Sequence, residues 1–293
     1  MSHKLTLAST AKLNSGYDIP LLGFGVYQIP KEDCPEICQK ALEAGYRQID
    51  SASLYRNQGQ SAAAIPASGV PRSDVFFTSK VPFFKAPMGY DSTHKLVDAA
   101  LEQTQLGYLD LMLIHCPYGG PDARKGAWRA LVECVDAGKV RSIGVSNYGV
   151  HHLEELEAYI KELEAERGPG RGGVLSVGQW ELHPWLMRKD ITDWCRQRNV
   201  VVQAYCPIVR GQRFGDPKVK ALADKYGKTE AQVLLRWSLQ QDFVPLVKTV
   251  RPSRVLENAD LYDFELTKEE VADLATDEYS PCAWDPSVEA IEK

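Results

Sequence analysis

Eight short apolar runs with strand character recur along these 293 residues, and six of them give way to segments with helical periodicity. The runs are 21–25, 47–50, 75–80, 110–115, 140–146, 175–181, 200–205 and 243–248. Amphipathic helices are predicted at 33–44, 91–106, 122–137, 151–165, 189–198, 217–225 and 229–240. Strands that alternate with helices favour a parallel sheet, and eight such units suggest a closed (β/α)8 TIM barrel with its helices outside. Such barrels run to about 250 residues as one domain, so residues 1–293 are read as a single barrel domain with two extra helices. The most linker-like stretch, 166–173, falls inside the rhythm and is read as a loop. Ahead of the first unit, segments 4–7 and 17–19 flank the turn sequence Asn14-Ser15-Gly16, predicting an N-terminal β-hairpin placed to plug the barrel bottom. The alternative, an open doubly wound sheet, lacks its phosphate fingerprint, because Gly23-Phe24-Gly25 has no third glycine in place.

Polar residues collect at the carboxyl ends of the apolar runs: Asp50, Lys80, His115, Ser146, Asn147, Gln179, Glu181, Tyr205 and Lys248. That is the face on which barrels of this kind carry active sites. Any one of these residues alone has a structural explanation as a cap, a solvated strand end or a core polar group. Together, Asp50, Tyr55, Lys80 and His115 form a set suited to moving one proton. A buried Lys–Asp pair adds little stability, because desolvation can exceed the Coulombic gain, so a catalytic use accounts better for it. A phenol has a pKa near 10 in water. The Lys80 charge, held by Asp50, is expected to lower that of Tyr55 toward the working pH, with His115 orienting a substrate.

The stretch Gly45-Tyr-Arg-x-Ile-Asp50-Ser-Ala-x-x-Tyr55-x-Asn57 resembles the aldo-keto reductases, and Gly144–Asn147, Gln179–Pro184 and Lys248–Asn258 extend the likeness over nearly the whole chain. The resemblance implies a barrel that reduces aldehydes or ketones with NADPH. It assigns Ser146, Asn147 and Gln179 to the nicotinamide carboxamide and Tyr205 to stacking on the nicotinamide ring. The turn holding Cys206 and Ile208 would lie along the pyrophosphate. Lys248, Thr249 and Arg254 would surround the 2′-phosphate, with Glu257 and Asn258 at the adenine. Tyr27, Phe83, Cys116 and Tyr118, with Trp284 from the tail, are the expected substrate walls. The chain departs from the pattern at several points. Gln58 stands where an acid is common, and Pro66 leads one to expect irregular structure over 57–68. Val26 replaces a common Thr, and Gly178 a common Asn. Cys116 takes the place of a frequent Trp and Pro82 that of an aromatic, which predicts a roomier pocket.

The formal net charge of -5 and pI near 5.8 argue against nucleic acid as the main ligand. No apolar run reaches the length of a membrane span, and the first residues lack the apolar core of a signal peptide, so a cytoplasmic protein is expected. A monomer is the expected state, with a small carbonyl compound as partner. Seven cysteines, odd in number and never spaced Cys-x-x-Cys, signal neither a disulfide framework nor a metal site. Two other functions remain open on these residues. One is a Schiff-base lyase using Lys80 or Lys248, and the other a cofactor-binding regulatory subunit of the same fold.

Overall fold

The computed structural model describes residues 5–83 and 88–293. Eight parallel strands close into a barrel: β3 (Gly23–Gly25), β4 (Gln48–Asp50), β5 (Phe76–Val81), β6 (Leu109–Ile114), β7 (Val140–Ser146), β8 (Leu175–Glu181), β9 (Val201–Tyr205) and β10 (Val244–Val247), with β10 pairing back onto β3. Helices α1 (Cys34–Glu43), α2 (Gln58–Ser68), α3 (Tyr90–Thr104), α4 (Gly120–Asp136), α5 (Val150–Arg167) and α6 (Lys189–Arg196) follow the first six of these strands. The last two strands are each followed by two helices, α7 (Pro217–Tyr226) and α8 (Glu230–Gln240) after β9, and α9 (Pro252–Ala259) and α10 (Lys268–Leu274) after β10. Local chemistry sets several of the starts. Asp216 accepts from the backbone of Lys218 and Val219 ahead of Pro217, and Thr229 and Gln232 form a reciprocal cap on α8.

The hairpin is present but shifted along the chain. Its arms are β1 (Thr10–Lys12) and β2 (Asp18–Pro20), so the first arm is not the expected 4–7, whose Lys4 lies outside the described residues. Asn14-Ser15-Gly16 still makes the turn, and its side chains fix it to the barrel. Asn14 Nδ2 donates to Leu175 O at 2.8 Å, and the Ser15 and Ser142 hydroxyls lie 2.8 Å apart. Leu13 and Ile19 then pack with Phe76, Leu111, Leu113 and Val177 in an apolar cluster that closes the barrel bottom. A much larger cluster fills the layer between barrel and helices.

Residues 58–68 are a regular helix, correcting the expectation raised by Pro66. Pro66 sits in the final turn, three residues before the left-handed Gly69, so its missing N–H removes one bond at the helix end. Gln58 also finds its reason. Its amide is buried, accepting from Ser79 at 2.8 Å and donating to Gln103 at 2.7 Å, a site where a carboxylate would lack the donor. At Gly178, a Cβ would come within 2.1 Å of the Trp180 indole, so the small residue makes room for that ring. The indole in turn donates to Tyr148 O at 2.8 Å.

Candidate active site

The strand register brings the four proton-transfer residues to one end of the barrel. Asp50 ends β4, Lys80 lies next to last in β5 opposite Leu113 of β6, and His115 follows β6 directly. Tyr55 closes a single 3-10 turn, Ser53–Tyr55, which the left-handed Arg56 terminates. Lys80 has no exposed surface, and its ammonium group spends its three donors on Asp50 Oδ1 at 2.6 Å, Ser51 O at 2.8 Å and the Tyr55 hydroxyl oxygen at 3.3 Å. Because Tyr55 accepts from Lys80, its own O–H is left to donate elsewhere. Asp50, Tyr55 and His115 line a cavity of about 1180 Å³, while Lys80 stands behind them. An amine so enclosed offers no surface for carbonyl attack, which leaves the Schiff-base reading without its nucleophile at position 80.

The electrostatics differ from the expectation at Tyr55. Desolvation, with the Asp50 charge second, pushes the phenol well above its ordinary value instead of toward neutrality. Tyr55 is therefore a neutral acid at physiological pH. Burial also lowers Lys80, against the pull of Asp50. Burial and the Lys80 charge hold His115 well below its usual range, so the imidazole is neutral. Its Nδ1 is buried without a hydrogen-bond partner among the described residues. A neutral ring avoids a buried unpaired N–H by carrying its proton on Nε2. The aromatic rings of Tyr55 and His115 meet edge to face at 5.8 Å.

From this end the cavity runs past Ser146, Asn147, Gln179, Tyr205, Cys206 and Ile208 to Lys248, Thr249 and Arg254. A polar network holds its middle. The Gln179 amide nitrogen donates to Asp50 Oδ2 and to Gln203 Oε1, both at 2.9 Å, leaving the amide oxygen for a ligand. Asn147 is occupied within the protein, donating to His115 O at 3.0 Å and accepting from the Tyr205 hydroxyl at 2.8 Å. Ser146 donates to Gln179 O at 2.9 Å. Asn147 thus orients Tyr205 more directly than it offers itself to a ligand. Thr249 accepts from Arg251 N at 3.0 Å. Glu257 and Asn258 are not among the residues that line the cavity. Glu257 takes a hydrogen bond from Thr229, and Asn258 is buried. Arg210, the last residue of the turn Cys206–Arg210 expected along the pyrophosphate, lines the cavity, as does Arg251, which sequence reasoning missed. The position of Arg251, just before the first-turn Pro252, was the available signal.

The substrate end also needs one correction. Tyr27 and Phe83 line the cavity, but Cys116 is wholly buried and Tyr118 stands outside the wall. The indole of Trp284 lines the cavity, stacking on Phe83 at 4.8 Å and meeting Tyr118 edge-on at 5.8 Å. Two buried charges seat this tail residue. Glu181 accepts from Cys282 N at 2.6 Å and Ala283 N at 3.0 Å, and Arg188 pairs with Asp285 at 3.0 Å. Glu181, His183 and Cys282 bring three metal-capable atoms within 4.8 Å of one another, but both Glu181 oxygens are already engaged by the tail amides and His183.

A closed parallel barrel thus brings a phenol, a carboxylate and an imidazole to one end of a single cavity, with a buried ammonium behind them. The profile of the Aldo/keto reductase family matches residues 21–276. A glyoxal reductase of Bacillus subtilis is 39% identical over 269 residues, 91% of each chain. An uncharacterised oxidoreductase of Schizosaccharomyces pombe is 38% identical over 288 residues, covering 96% of this chain and 98% of its own. Among solved structures, an aldo/keto reductase from Brucella melitensis superposes with a TM-score of 0.82 at 35% identity, covering 91% of this chain and 98% of its own. The chain belongs to the aldo/keto reductase family. It is an oxidoreductase of carbonyl compounds, in a family that generally uses nicotinamide cofactors. No helix among the described residues is long and apolar enough to cross a membrane.

Proposed function

We propose that this protein is a single-domain, cytoplasmic, monomeric enzyme that reduces aldehydes or ketones to alcohols with NADPH, Tyr55 being the proton donor. The carrying observation is the Lys80 ammonium, 3.3 Å from the Tyr55 oxygen and 2.6 Å from Asp50, which leaves the phenol proton free to serve the cavity. The residues present fit the cofactor. One cavity of about 1180 Å³ connects Tyr55 and His115 to Lys248, Arg251 and Arg254, and the Gln179 amide oxygen on its wall is free for a carboxamide. A reduced nicotinamide held near Ser146, Gln179 and Tyr205 would supply the hydride. As negative charge grows on the carbonyl oxygen, neutral His115 donates a hydrogen bond to it and Tyr55 gives up its proton. Lys80, fixed by Asp50, then stabilises the phenolate left behind. Because Tyr55 begins as a high-pKa acid, Lys80 contributes to the charged product state and not to prior ionisation.

Lys248 supports the choice of NADPH. It lines the cavity, burial lowers its pKa, and no carboxylate among the described residues offsets that burial, so a 2′-phosphate would supply a counter-charge. Trp284 and Phe83 narrow the substrate end, and with the glyoxal reductase relative this favours small aldehydes and dicarbonyls. A screen of NADPH oxidation against aldehydes, diketones and sugars tests the reading. Turnover of small aldehydes with NADPH, slower with NADH, is the expected result. Tight NADPH binding with no turnover of any carbonyl would replace it with a regulatory role.

A further inference from the structure

Of the seven cysteines, five are buried, and the two that are half-exposed, Cys206 and Cys282, are neighbours. They come together across 76 residues of chain for a definite reason. Glu181 is paired in register with Tyr205 on the adjacent strand, and the same Glu181 carboxylate holds the backbone amide of Cys282. Cys206, next after Tyr205, and Cys282, whose sulfur lies within 4.8 Å of the Glu181 carboxylate, therefore flank one carboxylate and stand close enough to influence each other. Arg210 lines the same stretch of the cavity as Cys206. Cys206 lines the cavity, and Cys282 lies two residues before the Trp284 wall.

We infer that Cys206 and Cys282 form a peroxide-oxidised disulfide that ties the Trp284-bearing tail to the loop after β9. The surroundings of the pair divide its roles. The neighbouring Cys282, and beyond it Arg210, hold the Cys206 thiol below its ordinary range against burial. The same closeness, together with burial and the neighbouring Glu181 charge, holds Cys282 well above it. Cys206 lines the cavity and Cys282 does not, so Cys206 is the sulfur that peroxide reaches first and the attacking one. Its thiolate takes one peroxide oxygen, the O–O bond breaks, and the released hydroxide picks up a proton to leave as water. The Cys282 sulfur then attacks the resulting sulfenic acid. The S–O bond breaks, and the departing hydroxide leaves as water with the Cys282 proton. Two thiols and one hydrogen peroxide give one disulfide and two waters.

The bond would join two walls of the cavity. On one side is the segment from Cys206 to Arg210, whose Cys206, Val209 and Arg210 all sit in the left-handed backbone region. On the other is the tail that follows Cys282, whose Ala283 and Trp284 line the cavity while Cys282 itself does not. Tying these walls restricts the movement that ligands need to enter and leave, so the oxidised enzyme is expected to turn over roughly tenfold more slowly.

The test treats the whole reduced protein with hydrogen peroxide, blocks the remaining thiols, and reads intact mass, mapped peptides and carbonyl turnover. The inference expects loss of two hydrogens, a Cys206–Cys282 cross-linked peptide, and a drop in turnover that dithiothreitol reverses. Cys282→Ser, which keeps the backbone amide that Glu181 holds, is expected to match the wild type when reduced. After peroxide it should show no cross-link and a dimedone-trapped sulfenic acid at Cys206. Cys206 oxidised to the sulfinic acid without a cross-link in the wild type, or a disulfide elsewhere, would overturn the assignment. A Cys206–Cys282 disulfide that leaves turnover unchanged would overturn its effect on access. The mass readout is independent of the cofactor, so its failure is distinct from failure of the NADPH reading.

Discussion

The two ends of the cavity are built in opposite ways. At the closed end, Lys80 is wholly buried, its three donors are matched, and its partners sit on or directly after adjacent strands. At the open end, Lys248 is half-buried, Arg251 and Arg254 are exposed, and among the described residues none of the three makes an ion pair. The closed end is held by hydrogen bonds within the protein, whereas the cations at the open end are not fixed by ion pairs among the described residues; on the proposed function they would be organised by the cofactor phosphate. Groups that move a proton need fixed geometry, which strand ends provide. Groups that recognise a phosphate need charge and reach, which the first turn of a helix provides.

The contrast can be broken at either end. The largest effect is expected at the closed one. Tyr55→Phe removes the acid but none of the packing, so turnover should fall by a factor of about 100 to 10,000 while cofactor affinity stays near wild type. Steady-state kinetics with a separate binding titration checks this, and near-normal turnover with cofactor bound would remove Tyr55 from the chemistry. At the open end, Arg254→Ala should weaken NADPH by roughly one to two orders of magnitude and leave NADH almost unchanged. Dissociation constants by fluorescence quenching at fixed ionic strength decide it. Equal losses for both cofactors would make Arg254 a structural residue.

A smaller effect on catalysis sharpens the boundary of the closed end. Cys116 is buried outside the cavity wall, so Cys116→Trp should overpack the interior and destabilise the fold by about 1–3 kcal/mol. KM should change little for small aldehydes and for bulky ketones alike. A selective rise for bulky ketones, with stability unchanged, would return residue 116 to the substrate pocket.

The same contrast explains what could be read from sequence. Asp50, Lys80 and His115 are legible because each closes an apolar run, and the period of the chain says which end of the barrel those runs face. The barrel is legible for the same reason. The first hairpin arm was displaced because 4–7 and 10–12 both flank the same turn, and only the packing of Leu13 and Ile19 against the barrel selects the second. Cys116 was misplaced because adjacency to His115 in sequence does not say which side of the strand end a side chain takes. Trp284 was only a candidate, and its anchoring by Glu181 and Arg188, about 100 residues distant in sequence, leaves no local signal. The high pKa of Tyr55 was missed because Lys80 is visible in the sequence, whereas the loss of solvent around the phenol is a property of the folded cavity.

The central claim is that Tyr55 waits as a neutral phenol, with Lys80 in place to stabilise the charge it leaves. The direct measurement is the ionisation of Tyr55 itself, followed by the 13Cζ resonance in tyrosine-labelled protein and assigned by its absence in Tyr55→Phe. A raised pKa keeps the acid form populated at every pH below it, so the resonance should hold its neutral-phenol position from neutral pH up to about 10, the ordinary range for tyrosine, and move only above it. A Tyr55 resonance that titrates near neutral pH would contradict the account, showing that Lys80 prevails over burial and that the phenol is already ionised when substrate arrives.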